Sequence, residues 1–264
     1  MLAGTSEKLS QVFDRSSFDE LGYVQLAGVF SEEPAAGMRE VAWQELAARQ
    51  GVLEHDRATW TVPEPRHWKR TKTVGARLMI GPAVSSALDE LLGAETWSLP
   101  DHWAVLVTFP TPGEWRLPHW LWHIDGHPSA EPISEVKLFA FLGSVGPKGG
   151  GTLIIPRSHR MLATYMSSAP AEVVADPMRL RPRFMSHAPW LKALSAPSDV
   201  DAERNARFME ADGEVDGIPA RVVELTGEPG DVVLCHPMLF HCVAPNTADR
   251  PRFMRTTMIK RRPV

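Results

Sequence analysis

Cysteine is nearly absent: the 264 residues contain only Cys235 and Cys242. A disulfide framework is therefore excluded, and because both flank His241, on one strand they would lie too far apart to bridge. Reduced thiols are expected. An excess of basic charge is also missing. Lys and Arg number 28 against 32 Asp and Glu, a formal net charge of -4, which argues against a general nucleic-acid or anionic-membrane binder. The expected partner is a small molecule, with no nucleic acid and no membrane. No apolar run reaches the ~18 residues needed to span a bilayer, and residues 1–30 lack a basic start followed by an apolar core, so a cytoplasmic protein is expected. Nor is there a repeat of ~20 to 50 residues or a low-complexity segment; one domain over 1–264 is expected. What remains is a globular composition, 44% hydrophobic and 23% charged, with material for a sizeable core.

Along the chain, "GYVQLAGVF" (22–30) has the mix of a strand. Ser31 follows as a natural N-cap, with Glu32 and Glu33 in the first turn and Met38, Val41, Ala42 and Leu46 at helical spacing. A second helix is expected at 83–93, closed by Gly93. From residue 102 the text changes to short β-rich runs between Pro and Gly: "HWAVLVTF", "EVKLFAFLGSV", "GTLIIP", "ARVVELT", "DVVLCHPMLFHCV" and "FMRTTMIKR". Strands at this spacing suggest an antiparallel sandwich or jelly roll. The interval 160–217 breaks the rhythm with helical or irregular text and is expected to be an inserted lid. The basic end "KRRPV" reads as a frayed tail.

The chemistry is densest in "PHWLWHIDGHP" (118–128). In a strand, residues two apart share a face, so His123 and Asp125 would present an imidazole and a carboxylate together. The best distant partner is His241, after an apolar run. Two histidines and one carboxylate leave the opposite positions of a metal open, as non-haem Fe(II) centres require, whereas a structural zinc site is filled by protein ligands. An H-x-D pattern alone also occurs by chance. Three features add to it: the Gly-rich turn and strand of "GPKGGGTLIIPRSHR" (146–160), the turn, strand and His of "GDVVLCHPMLFHCVAPN", and Arg252 placed to return beside His241 on the next antiparallel strand. The triple glycine is read as a hairpin-like turn, since neither phosphate-loop pattern occurs. Asn246 and Pro245 read as turn formers. His236 would sit on the other strand face from His241 and is read as structural.

These stretches, "WHID", "GGGTLIIPRSHR" and "GDVVLCHPMLFHCVAPNTADRPR", resemble the phytanoyl-CoA dioxygenase-like branch of the Fe(II)/2-oxoglutarate-dependent oxygenases, weakly over 18–34 and well over 100–262. The resemblance implies a mainly β fold with flanking helices, a double-stranded β-helix (jelly roll, cupin-like) core. It implies iron on His123, Asp125 and His241, the far carboxylate of 2-oxoglutarate on Arg252, and Fe(II), 2-oxoglutarate and O2 as cofactors. A buried guanidinium suits a carboxylate because it donates two parallel hydrogen bonds. Arg250 is the rival for that role. Thr152 and Thr108 are further candidates, although Thr is an ordinary strand residue. Trp120, Trp122 and His127 are candidate walls of a substrate pocket, with core packing the alternative for the tryptophans. The basic stretch 66–77 would suit an anionic substrate or simply face solvent. "PRSHR" departs from the Gly that the family usually carries before Ser-His.

The activity implied is oxidation, with hydroxylation foremost, of a small organic or secondary-metabolite substrate, with release of succinate and CO2. Asp125 speaks against halogenation, which in related enzymes needs a small residue there. Desaturation, ring closure, epimerisation and epoxidation use the same motifs, which set neither the substrate nor the oligomeric state. Two rivals stand beside this reading: a zinc hydrolase on the same ligands, active without O2 or 2-oxoglutarate, and a non-catalytic jelly-roll binding module.

Overall fold

The computed structural model describes residues 13–62, 68–71, 76–100, 103–126, 132–197 and 201–262. A short helix α1 (Arg15–Leu21), capped by Asp14, leads through Gly22 into β1 (Tyr23–Leu26). The long helix α2 (Glu32–Gln50) starts where Ser31 predicts and buries Ala35, Met38, Ala42 and Leu46, while Val41 is only half-buried. Then come β2 (Trp68–Thr71), α3 (Pro82–Leu92) closed at Gly93, and β3 (Trp97–Ser98). The β-rich half follows with β4 (Trp103–Thr108), β5 (Glu135–Phe141) and β6 (Thr152–Ile154).

Between β6 and the later strands lie α4 (Ser158–Ser168), α5 (Ala171–Val174), α6 (Pro177–His187), α7 (Pro189–Leu194), α8 (Asp201–Asn205), a π-helical turn (Ala206–Glu210) and a hairpin of β7 (Gly213–Val215) and β8 (Ile218–Ala220). The chain finishes with β9 (Val223–Glu224), β10 (Val232–Cys235), β11 (His241–Val243) and β12 (Arg252–Arg261).

Two antiparallel sheets make the double-stranded β-helix core. The major sheet runs β1-β10-β5-β12-β4-β2, with β3 on the far end of β12; the minor sheet runs β11-β6-β9. Strand alternation then sorts the side chains into layers. Phe139, Phe141, Val233, Cys235 and Met254 face inward and meet Ile154 of the minor sheet. Leu138, Ala140, Leu234 and Phe253 face outward and pack on Met38, Leu46, Leu88 and Leu91 of α2 and α3. On the far side, Leu153, Ile155 and Cys242 pack on the inserted helices through Phe184, Leu191 and Phe208. Both sheets are thus covered outside by helices, and the space between them is left for chemistry.

Two sequence expectations are corrected. The "KRRPV" end is not frayed throughout: Lys260 and Arg261 continue β12, pair with Ser98 and Trp97, and are tied by Lys260 to Glu135 at 3.3 Å and by Arg261 Nε to the Leu92 carbonyl at 2.7 Å. "PRSHR" is not a simple turn but the start of α4, with Arg157 at φ 68 before the first helical residue, Ser158. The left-handed Arg157 does what a glycine does in such a turn, and its Nε is held 2.8 Å from Glu20.

Candidate metal centre and its surroundings

The segment between β4 and β5 joins the minor sheet at one pair of residues, His123 and His241. The backbone N–H of His123 donates to the carbonyl of His241 at 3.0 Å, and that of His241 donates back at 2.9 Å. This single antiparallel bridge is the only strand-like part of H-x-D; Asp125 lies in the bend that follows. The expectation of one continuous strand is corrected, yet both side chains still converge.

What sets the bend is Gly126. Its N–H donates to the Pro237 carbonyl at 3.1 Å, and a Cβ there would lie 2.3 Å from Pro237 Cβ and 2.9 Å from Pro237 O. No side chain fits. Pro237 also explains why "DVVLCHPMLFHCV" is two strands. It has no N–H to continue the ladder, so β10 ends at Cys235, the chain turns, and Phe240 N donates to buried Ser158 Oγ at 2.8 Å just before β11 begins. Ser158 thereby fixes the entry of His241 into its sheet.

Both histidines are oriented alike. His123 Nδ1 lies 2.8 Å from the Leu121 carbonyl and His241 Nδ1 lies 3.0 Å from the Leu239 carbonyl. A carbonyl only accepts, so the proton is assigned to Nδ1 and the lone pair to Nε2. The two Nε2 atoms then face Asp125: His241 Nε2 is 3.3 Å from Oδ2, and His123 Nε2 is 3.6 Å from Oδ1. Ligand atoms of the three residues lie within 4.8 Å of one another. Burial and the neighbouring His241 lower the His123 pKa. Burial alone raises the Asp125 carboxyl, but the contacts with His241 and Lys137 outweigh it and hold it well below the usual carboxylate range. Three acceptors thus converge on one point, an arrangement that a cation makes favourable and that matches a two-histidine, one-carboxylate ligand set.

Lys137, which the motif search passed over, stands in this group with Nζ 2.5 Å from Asp125 Oδ2. It is the charged residue inside the apolar run 136–141 of β5, detectable only once the strand faces are known. Gly126, Ser158 and Glu224 were missed for the same reason. Glu224 accepts from the N–H groups of Lys148 (2.7 Å) and Gly151 (3.0 Å) and so braces the triple-glycine turn. Its pKa is raised by burial.

Arg252 opens β12 opposite Thr108. Register partners project to the same side of a sheet, and Arg252 shares its face with inward Met254, so both Arg252 and Thr108 point between the sheets. Thr152, opposite Val243, points inward from the other sheet. All three are buried, and Arg252 Nε donates to the Gly150 carbonyl at 2.6 Å. Arg250, in contrast, is 81% exposed beside Asp249, at a groove on the outer, α2 side of the protein. Asn246 is a turn former as expected: its Nδ2 donates to the carbonyls of Thr108 (2.9 Å) and Arg250 (2.7 Å).

A cavity of about 380 Å3 lined by Thr108, Val243, Asn246, His119 and Trp120 adjoins Arg252's neighbours. His119 and Trp120 also line a second groove of about 610 Å3, with Trp122 and Arg181. Trp120 is 63% exposed, while Trp122 is buried in the core with Nε1 on the Pro118 carbonyl. His127 lies outside the described residues, as do residues 66–67 and 72–75 of the basic stretch. His236 is structural: it is buried, lies against the His159 ring at 4.6 Å and accepts from Met238 N at 3.1 Å. Cys235 and Cys242 are both buried and are not joined in a disulfide. Among the described residues no helix is long and apolar enough to cross a membrane.

The family model described as phytanoyl-CoA dioxygenase (PhyH) matches residues 18–254. No curated protein matches the chain. Among solved structures, the non-haem alpha-ketoglutarate-dependent carbocyclase SnoK from nogalamycin biosynthesis is 17% identical, with 96% of this chain and 86% of that chain covered and a TM-score of 0.55. HygX from Streptomyces hygroscopicus, with nickel and 2-oxoglutarate bound, is 14% identical over 95% and 88% of the two chains, TM-score 0.53. The epimerase SnoN, in complex with Fe3+, alpha-ketoglutarate and nogalamycin RO, is 17% identical over 94% and 84%, TM-score 0.52. At these identities the likeness is one of fold.

Proposed function

The chain belongs to the phytanoyl-CoA dioxygenase family of Fe(II)/2-oxoglutarate-dependent enzymes, and from that membership we propose that it hydroxylates a small organic substrate of the secondary-metabolite kind. The observation that carries the reading is the convergence of His123 Nε2, His241 Nε2 and the Asp125 carboxylate on one point, with Arg252 turned into the same space between the sheets.

In this reading His123, Asp125 and His241 hold the iron; the Nδ1 contacts of the two histidines and the Gly126 bend keep the three side chains aimed. Bound Fe(II), with 2-oxoglutarate and O2, supplies the oxidising power that removes hydrogen from a substrate C–H bond, with succinate and CO2 as coproducts. Arg252 binds the far carboxylate of 2-oxoglutarate, aided by the Thr108 and Thr152 hydroxyls; a buried guanidinium gives this both charge and direction. The segment 160–217 acts as the lid of the single domain, and its helices keep water from one side of the site. Trp120 forms a wall of the substrate approach, with buried Trp122 packed behind it. Asp125 occupies the position that a halide would need, which disfavours halogenation.

Ring closure and epimerisation occur among fold relatives, so the position of the substrate's C–H bond, not the ligand set, selects the outcome. The test is the stoichiometry of 2-oxoglutarate loss, O2 uptake and succinate release by the Fe(II)-loaded protein across a panel of small hydrophobic metabolites. Coupled consumption with a product gaining one oxygen atom supports hydroxylation. A product without that oxygen redirects the assignment to desaturation, ring closure or epimerisation. Turnover on zinc without O2 would establish the hydrolase instead, and metal-free ligand binding alone would establish the binding module.

A further inference from the structure

Lys137 sits where a strand seldom places a charge. β5 is hydrogen-bonded on both sides, to β10 with Lys137 opposite Cys235 and to β12 with Lys137 opposite Met258. The backbone is therefore held from both edges. The side chain shares its face with Phe139 and Phe141 and so enters the space between the sheets; it is 13% exposed. Moving an ammonium there costs several kcal/mol unless a partner compensates. The partner is Asp125, with Nζ 2.5 Å from Oδ2. Phe139 supplies a second contact, its ring centroid 5.2 Å from Nζ, and the same ring lies 5.7 Å from that of His241. Lysine, carboxylate, aromatic ring and histidine thus form one packed unit.

We propose that Lys137 is a positioning residue of the metal centre, which by holding Oδ2 of Asp125 leaves Oδ1 as the ligand oxygen and keeps the carboxylate a one-oxygen ligand. Asp125 lies in a bend rather than a strand, so nothing in the ladder fixes its χ angles; the ammonium does. A carboxylate bound through both oxygens would fill one more coordination position, and the lysine prevents that. This inference rests on the metal-site reading above.

Two effects of Lys137 have opposite signs, which makes the role testable. As a bare charge it repels a divalent cation, so its removal would tighten binding. As an orienting group it strengthens binding, and the loss of such outer-shell partners costs roughly 10–100-fold in metal affinity. The experiment is a titration of the metal-free full-length protein with Co(II), read by visible absorption, in wild type, Lys137→Met, Lys137→Gln and Lys137→Arg. The expected result is an affinity about 10-fold or more weaker in K137M, an intermediate loss in K137Q, recovery toward wild type in K137R, and a Co(II) spectrum in K137M altered by the extra oxygen. K137Q keeps the polar end and serves if K137M does not fold. Affinity equal to or tighter than wild type in both neutral variants, with an unchanged spectrum, overturns the proposal. A wild type that binds no Co(II) overturns the metal site itself, a separate outcome.

Discussion

His123 and His241 hold each other before either holds anything else: their backbones exchange two hydrogen bonds, at 3.0 and 2.9 Å, and their ring centroids lie 4.4 Å apart. Ligands from distant parts of the chain are thereby set as one unit, and metal binding need not order them. Replacing either by Ala leaves the backbone bridge intact but removes a donor. Far-UV circular dichroism is expected to match wild type, while Fe(II) affinity falls by more than the roughly 10–100-fold that an outer-shell partner is worth.

Arg252 and Arg250 make a direct contrast, one buried between the sheets and the other exposed on the outer surface. Truncating a buried hydrogen-bonded charge partner costs about 2–5 kcal/mol, or about 30-fold and upward in affinity. Isothermal titration with 2-oxoglutarate should show that loss in Arg252→Ala and wild-type affinity in Arg250→Ala. Equal losses would remove Arg252 from its role.

The helix at Ser31 and most strands were legible in the sequence because each depends on local pattern: alternation, capping and apolar spacing; the grouping of His123, Asp125 and His241 came from the H-x-D pattern together with the family resemblance. Asp125 was legible as a member of that group but not as a bend residue, because the bend depends on Pro237, far along the chain. Lys137 and Ser158 were illegible for a related reason. Which strand face a residue takes, and which loop a hydroxyl caps, are settled by sheet pairing and not by neighbours in sequence. From the sequence, Arg252 is preferred to Arg250 only through the family resemblance, and burial is what separates them physically.

Gly126 is the narrowest point near the metal site. In Gly126→Ala the methyl would stand 2.3 Å from Pro237 Cβ, so the bend must open and carry Asp125 with it. Weaker Co(II) binding together with a lower melting temperature is expected. A variant that binds Co(II) as wild type does would show that Asp125 is placed by other contacts.

Arg204, 5% exposed, donates to the carbonyls of Leu117, Pro118, Ala193, Leu194 and Ala196. It sews the loop before the metal site to the inserted helices. Buried acceptors left unsatisfied cost about 1–3 kcal/mol each, and in a domain of this size 1 kcal/mol moves the melting temperature by about 2–4 °C. Arg204→Ala should therefore melt several degrees lower in calorimetry and be cut faster by protease within 160–217. Lys in its place should not restore stability, since one ammonium lacks the planar fork of five donors. A normal melting temperature in Arg204→Ala would show that the loop is held elsewhere.

The central claim is that His123, Asp125, His241 and Arg252 build one site for iron and 2-oxoglutarate. The most direct measurement is an anaerobic titration of metal-free protein with Fe(II) and 2-oxoglutarate, followed by the weak visible charge-transfer band of chelated 2-oxoglutarate, in wild type, Asp125→Ala and Arg252→Ala. The account predicts the band in wild type, its loss in Asp125→Ala, and in Arg252→Ala a band that appears only at much higher 2-oxoglutarate. A wild type that binds Fe(II) but shows no band at saturating 2-oxoglutarate would contradict it.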